Sequence, residues 1–166
     1  MTVQTLQRIV ILIGVLLLAS LGWWAWGLRA ENQIEKASQG VLKAASNRNW
    51  KKLQTYMASD YKDQWGMDGN QMVQSASNVL SQFFVVDIVA TAPAQITING
   101  DQAEWSAPLR VEGKGTAIAE AIIEHSATTL RSPFTFTWKK QSWKPWDWKL
   151  VSTKQPELNF DPSWNL

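Results

Sequence analysis

Apolar positions along this chain change their spacing twice, and each change marks a new kind of structure. Residues 9–28, from Ile9 to Leu28, form a run without one charged side chain, set between Arg8 and Arg29. At ~1.5 Å per residue a helix of this length crosses a hydrocarbon core of about 30 Å. Trp23, Trp24 and Trp26 gather at its C-terminal end, where amphipathic indoles prefer the headgroup region, and Arg29 follows in the polar zone. The run is long for the apolar part of a cleaved signal peptide, and bulky tryptophans stand where a small-residue cleavage site belongs. No two small residues lie four apart in it, so it lacks the face that lets membrane helices pack closely. The expectation is a single-pass tether whose partner is the lipid bilayer.

Orientation follows less directly. Arg8 precedes the run and Arg29, Lys36, Lys43 and Arg48 follow it, so a literal positive-inside count puts the rest of the chain in the cytoplasm. The downstream bases belong to a folding domain, however, and alternate with Glu31 and Glu35. The expectation leans to the periplasmic side of an inner membrane.

From Glu31 the spacing becomes helical: Ile34, Ala37, Val41, Leu42 and Ala45 recur at three- and four-residue steps. Asn49 can cap a short second helix carrying Trp50, Leu53, Tyr56 and Met57. After a loop over residues 66–70, the stripe Met72, Val73, Ala76, Val79, Leu80, Phe83 and Phe84 predicts a third helix. The spacing then shifts to alternation. Residues 85–90 and 95–98 read as strands, and Asn99-Gly100-Asp101 is a hairpin turn leading into a strand over 103–111. Residues 116–130 fit either pattern, and their isoleucines and threonines are taken here as a strand. Phe134, Phe136 and Trp138, then Trp146, Trp148 and Leu150, alternate with polar residues and predict a closing antiparallel pair. Helices followed by a run of strands indicate an α+β fold. The expected divisions are residues 1–29 for the anchor, 30–154 for the domain and 155–166 for a tail.

Composition narrows the chemistry. Sixteen basic and 14 acidic residues give a net charge of +2, so no strong field recruits polyanions and nucleic acid is not an expected partner. With no cysteine and one histidine, no transition-metal site or cofactor is expected.

The order of a helix, a short helix with Trp50-Lys51-Lys52-Leu53, then Ser59-Asp60-Tyr61, a helix, and strands ending in Pro133-Phe134-Thr135-Phe136-Thr137-Trp138 and Trp148-Lys149-Leu150-Val151 resembles the nuclear transport factor 2-like superfamily. The resemblance covers residues 31–153. It implies a cystatin-like cone, here three helices packed in a curved antiparallel sheet. The superfamily includes isomerases, dehydratases, polyketide cyclases, transport factors and periplasmic domains of bitopic secretion subunits, so the fold alone does not choose an activity. One anchor helix with such a domain is similar to subunits of type IV secretion systems.

An isomerase of this kind needs a carboxylate base and an oxyanion donor in an apolar cavity. Asp60, Tyr61, Asp63, Asp87 and His125 are the groups this sequence offers. Alternation lets Asp87 point to solvent from Val85-Val86-Asp87-Ile88-Val89, Tyr61 can sit with its ring in the core and its hydroxyl in water, and His125 reads as a surface residue. Between Trp138 and Lys149, basic and aromatic residues interleave; this suits a membrane-facing hairpin, a single-strand binder, or a core hairpin with Trp138, Trp146 and Trp148 inside. Trp143 falls outside the alternation. In the tail, Leu158, Phe160 and Trp164 are apolar anchors, either for packing on the domain itself or for docking on a partner. These features favour a non-enzymatic binding or assembly domain at a membrane, with a protein partner or a second copy. The alternatives are a tethered isomerase or dehydratase and a domain that binds a small hydrophobic ligand.

Overall fold

The spacing of Ile34, Val41 and Leu42 produces α1 (Ala30–Ser46), whose buried stripe also takes in Ser38 and Ala44. The computed structural model describes residues 29–158 and, ahead of them, Gly14. Glu31 in the first turn of α1 and Lys43 in the last both suit the helix dipole. Arg48, at φ 51°, turns the chain into α2 (Trp50–Tyr56), which Asn49 caps by accepting from the Lys52 amide. Gly40 lets Tyr56 lie directly on α1, since a Cβ there would come 2.2 Å from the Tyr56 hydroxyl. A capping box starts α3 (Gly69–Leu80): the Asp68 side chain accepts from the Asn70 and Gln71 amides, and the Gln71 side chain accepts from the Asp68 amide.

The third helix ends at Leu80, short of the expected Phe84. Phe83 and Phe84 open β1 (Phe83–Ala90), where a run of aromatic and β-branched residues prefers the extended chain. The later strands are β2 (Gln95–Asn99), β3 (Gln102–Ala107), β4 (Leu109–Gly115), β5 (Phe134–Lys140) and β6 (Trp148–Lys154). They form a β1-β4 pair and a four-stranded β2-β3-β5-β6 sheet, antiparallel throughout. Residues 83–99 and 102–115 amount to one long hairpin bent in the middle. Pro93 and Pro108 lie at the bend, where a residue without an N–H costs the ladder least, and the Thr91 amide donates to the Pro108 carbonyl across it. Gly100, at φ 61°, makes the tip.

One expectation is overturned. Residues 116–130 are not a strand: α4 (Ala117–Thr129) follows β4, with the Thr116 hydroxyl accepting from the Ala119 amide at its start. The alanines and glutamates favour the helix and outweigh the isoleucines and threonines. The described residues therefore hold four helices, not three. α4 buries Ala119 fully and sets Ile122 and Ile123 against Phe83, Val86 and Leu80, a second small core at the base of the bent hairpin.

The main core lies inside the curve of the sheet. Trp105, Trp138, Phe136, Trp148 and Leu150 face Ile34, Val41, Leu42 and Leu53, and the rings of Trp105 and Phe136 stack 5.0 Å apart. Both central indoles bond to α1: Trp105 Nε1 donates to Glu35 Oε2 at 2.6 Å and Trp138 Nε1 to Ser38 Oγ at 3.1 Å. The outer edge of β6 is covered by residues 57–64, whose Ala58, Lys62 and Gln64 amides donate to the Leu150, Val151 and Thr153 carbonyls. Among the described residues no helix is long and apolar enough to cross a membrane. The expected anchor over residues 9–28, with Trp23, Trp24 and Trp26, lies outside them apart from Gly14. Arg29 is exposed and stands at the N-cap of α1 without a side-chain cap bond.

The Glu35–Trp105 bond yields a stability prediction. Glu35→Ala leaves a buried indole N–H without an acceptor and should cost roughly 1–3 kcal/mol, whereas Glu35→Gln keeps an acceptor and should cost less than half as much. Urea unfolding of both variants, followed by tryptophan fluorescence, measures the difference; an unchanged stability in Glu35→Ala would mean that the bond contributes nothing.

Candidate functional site

Two places in the structure collect the groups that chemistry or binding would need. The first is a buried polar cluster under residues 58–68. Asp63 Oδ1 accepts from the Trp65 and Met67 amides at 3.0 and 2.8 Å, closing the turn that Gly66 makes at φ 78°. Asp63 Oδ2, the Tyr61 hydroxyl and the Thr153 hydroxyl are all buried with no hydrogen-bond partner. Tyr61 and Asp63 are only 3% and 7% exposed. Burial raises the Tyr61 pKa well above the usual phenol range; the Thr153 hydroxyl lies near enough to temper the shift without completing a bond, and the Asp63 charge adds to it. Burial also raises the Asp63 carboxyl, against the pull of its three backbone donors.

The Tyr61 hydroxyl, expected in water from the sequence, is buried instead. Thr153 is not among the sequence candidates; plain alternation from Trp148 and Leu150 turns residue 153 outward. A register shift in the β5–β6 pairing takes Thr137 to Ser152 and Trp138 to Leu150, which skips Val151 and carries Thr153 inward. No local residue type announces that bulge.

The second place is a groove of about 710 Å³ between α1 and the outer edge of β1, lined by Gln39, Leu42, Lys43, Ser46, Asn47 and residues 85–90. The junction after α1 holds this edge at two points. Ser46 Oγ accepts from the Ile88 amide at 2.9 Å, and the Arg48 guanidinium donates to the Phe83 carbonyl. Alternation along the strand turns the backbone groups of Val86 and Ala90 the same way as the Ile88 amide, into the groove. A second bulge, between Phe83 and Val85, leaves Phe84 and Val85 side by side on the surface, 74% and 68% exposed. Gly113 permits it: a Cβ there would meet the Val85 carbonyl oxygen at 2.1 Å.

The sequence candidates do not converge. Asp60 is exposed in the loop after α2, Asp87 is exposed on β1 at the groove, and His125 is exposed on α4 with its Nδ1 3.4 Å from Thr129 Oγ1. Only Tyr61 and Asp63 meet. Trp143 is 83% exposed in the β5–β6 connection. Trp146, expected in the core strand, is 60% exposed in the same connection, because β6 begins only at Trp148. Phe160 and Trp164 lie outside the described residues. The chain up to Leu158 is held down: the fully buried Gln155 exchanges bonds with Gln64, and the Glu157 carboxylate accepts from the Arg131 and Ser132 amides. Among the described residues no group of three or more His, Asp or Glu is arranged to hold a metal ion.

Neither a known family nor a curated protein matches the sequence. The fold does match solved structures. Bdellovibrio bacteriovorus Bd1075 superposes with a TM-score of 0.57 at 13% identity over 77% of this chain, which spans 40% of that protein's length. A Nostoc punctiforme protein of unknown function with a cystatin-like fold gives 0.54 at 16% identity, covering 80% of this chain and 92% of the other. A proposed dehydratase of the NTF2-like family from Streptomyces avermitilis gives 0.55 at 11% identity, covering 75% and 93%. At these identities the likeness is one of fold: α+β, with helices packed in the antiparallel cone of NTF2-like proteins.

The buried Asp63 predicts a pH dependence of stability. Its folded pKa lies above the unfolded 3.8, so in the window between the two the folded state holds more protons, and stability falls as pH rises through it and levels off above. Asp63→Asn keeps an acceptor for Trp65 and Met67 but carries no charge, so its thermal midpoint should lack this fall and equal or exceed that of the parent at neutral pH. Asp63→Ala, which loses the acceptor as well, should be destabilised by about 1–3 kcal/mol. A parent-minus-Asn difference that stays constant with pH would show that the carboxyl is not the titrating group.

Proposed function

We propose that the protein is a non-enzymatic assembly domain held at a membrane by its N-terminal apolar segment, and that it takes an extended segment of a protein partner along the outer edge of β1. The observation that carries this reading is the groove itself. It joins outward-facing strand backbone at Val86 and Ala90 to an apolar floor of Leu42 and Ile88, with the exposed Phe84 and Val85 beside it. An added strand can gain backbone hydrogen bonds there and seat alternate side chains on apolar surface. The interior of the cone supports the reading too, because Trp105, Phe136, Trp138 and Trp148 fill the space where an enzyme or a lipid carrier of this shape would keep its ligand. The apolar segment over residues 9–28 supplies the membrane through its length and lack of charge.

A tethered isomerase or dehydratase is the second reading, and the Tyr61, Asp63 and Thr153 cluster favours it: a phenol and a carboxyl, both buried, are the groups that proton transfer next to a carbonyl requires. Proposed enzymes among the structural neighbours point the same way at the level of fold. Against it, neither Tyr61 nor Asp63 borders the groove.

Photo-crosslinking in the source cells separates the two. A crosslinker at Val85 in the full-length protein should capture a defined protein product, and Phe84→Lys should abolish that product while leaving the unfolding midpoint unchanged. An undiminished product in Phe84→Lys would remove the groove from the assembly. Isomerisation of a β,γ-unsaturated ketone by the purified protein, lost in Asp63→Asn, would instead establish the enzyme.

A further inference from the structure

The β5–β6 connection exposes apolar surface that the core does not use. Residues 139–149 carry four lysines, three tryptophans and one aspartate. Trp148 turns inward, and its Nε1 donates to the Pro145 carbonyl at 3.0 Å. The Gln141 amide donates to the Asp147 carbonyl at 2.9 Å and closes the loop. These bonds fix a shape that leaves Trp143 and Trp146 outside, and Lys139 and Lys144 of the same segment are exposed as well. Two large indoles held in water by a well-bonded loop are unusual unless something covers them.

The position of the loop says what that is. Ser46, at the end of α1, bonds to Ile88 in β1, and Glu35, near its start, bonds to Trp105, which pairs with Ile96 in β2. The helix therefore runs antiparallel to the β1–β2 strand, and Ala30 comes toward the turn at Asn99, Gly100 and Asp101. The Lys140 amide donates to the Asp101 carbonyl at 2.8 Å, so the 141–147 loop lies at that same end. The start of α1, which directly follows the apolar run in sequence, and the Trp-Lys loop share one end of the cone.

We infer that the loop holding Trp143 and Trp146 is a second membrane contact, resting in the headgroup layer of an anionic bilayer with Lys139, Lys140 and Lys144 over the lipid phosphates. Indoles favour that layer because one edge is apolar and the N–H still finds an acceptor. Lysines add attraction only where the surface is negative. Asp147 lies within the loop and Asp101 is bonded to its start through the Lys140 amide, and the lysines outnumber these two acids. The contact would fix the domain's tilt, turning the base of the bent hairpin, with the β1 groove, away from the lipid. It rests on the membrane reading for the way the domain reaches the bilayer, and on its own observations for the face that touches it.

The absence of cysteine allows a direct test with the full-length chain. An environment-sensitive fluorophore on Gln141→Cys is compared with one on Glu112→Cys, at the far end of the bent hairpin, after reconstitution into phosphatidylcholine vesicles with or without about 30% phosphatidylglycerol. The label at 141 should be quenched by nitroxide lipids in the anionic vesicles and the label at 112 should not. Trp143→Ser with Trp146→Ser should remove the quenching. Lys139→Gln and Lys144→Gln should each weaken the anionic preference by roughly fivefold. Incorporation with equal, weak quenching at both sites overturns the inference while leaving the anchor intact. Failure to incorporate overturns the anchor; in that case flotation with anionic vesicles that is lost in the double tryptophan variant still supports the loop contact, and absence of flotation overturns it. Preference for a single-stranded oligothymidylate over anionic vesicles would overturn it as well.

Discussion

Two indole N–H groups set the geometry of this domain. A tryptophan buried in a curved sheet brings a large apolar area and one donor that must be satisfied. Trp105 and Trp138 both find their acceptors on α1, at Glu35 and Ser38, almost one turn apart. That pair of bonds fixes the rotation of the helix and its position along the cone. Once α1 is registered, Ile34, Val41 and Leu42 face the core, Gly40 meets Tyr56, and Ser46 and Arg48 reach the edge of β1. The groove and the core are thus two sides of one helix placement.

How much of this was legible depends on whether the physics was local. The stripes of α1 and α2, the capping residues Asn49 and Asp68, the Asn-Gly-Asp turn and the alternation of Phe134, Phe136 and Trp138 each carry their signal within a few residues, and the cone follows from their order. The misreadings arose where two local preferences competed or where a distant pairing decided. In residues 117–129 helix-forming alanines and glutamates oppose β-branched isoleucines and outweigh them, and the resulting helix sets Ala119, Ile122 and Ile123 on Leu80, Phe83 and Val86. Phe83 and Phe84 continue a helical stripe by number, yet α3 stops at Leu80.

The candidate site was less readable still. Both of its surprises come from bulges, the one that turns Thr153 inward toward Tyr61 and the one that sets Phe84 and Val85 outside together. A bulge reverses the facing of every residue beyond it, and its cause lies in the partner strand: the close approach at Gly113 in one case, the β5 register in the other. Residue type could nominate Tyr61 and Asp63 but could not bring Thr153 to them. Trp146 failed for a related reason, since the loop that Trp148 fastens through Pro145 begins before the strand does.

The two sheets secure their outer strands differently. Along β6, residues 57–64 already occupy the hydrogen-bonding edge, whereas β1 is held by two side chains, Ser46 at the end of α1 and Arg48 just after it, at Ile88 and Phe83. An edge fixed at two points by side chains keeps its shape without a neighbouring strand along it, so the bent hairpin stands in place through its attachment to one helix end while the cone closes along β6.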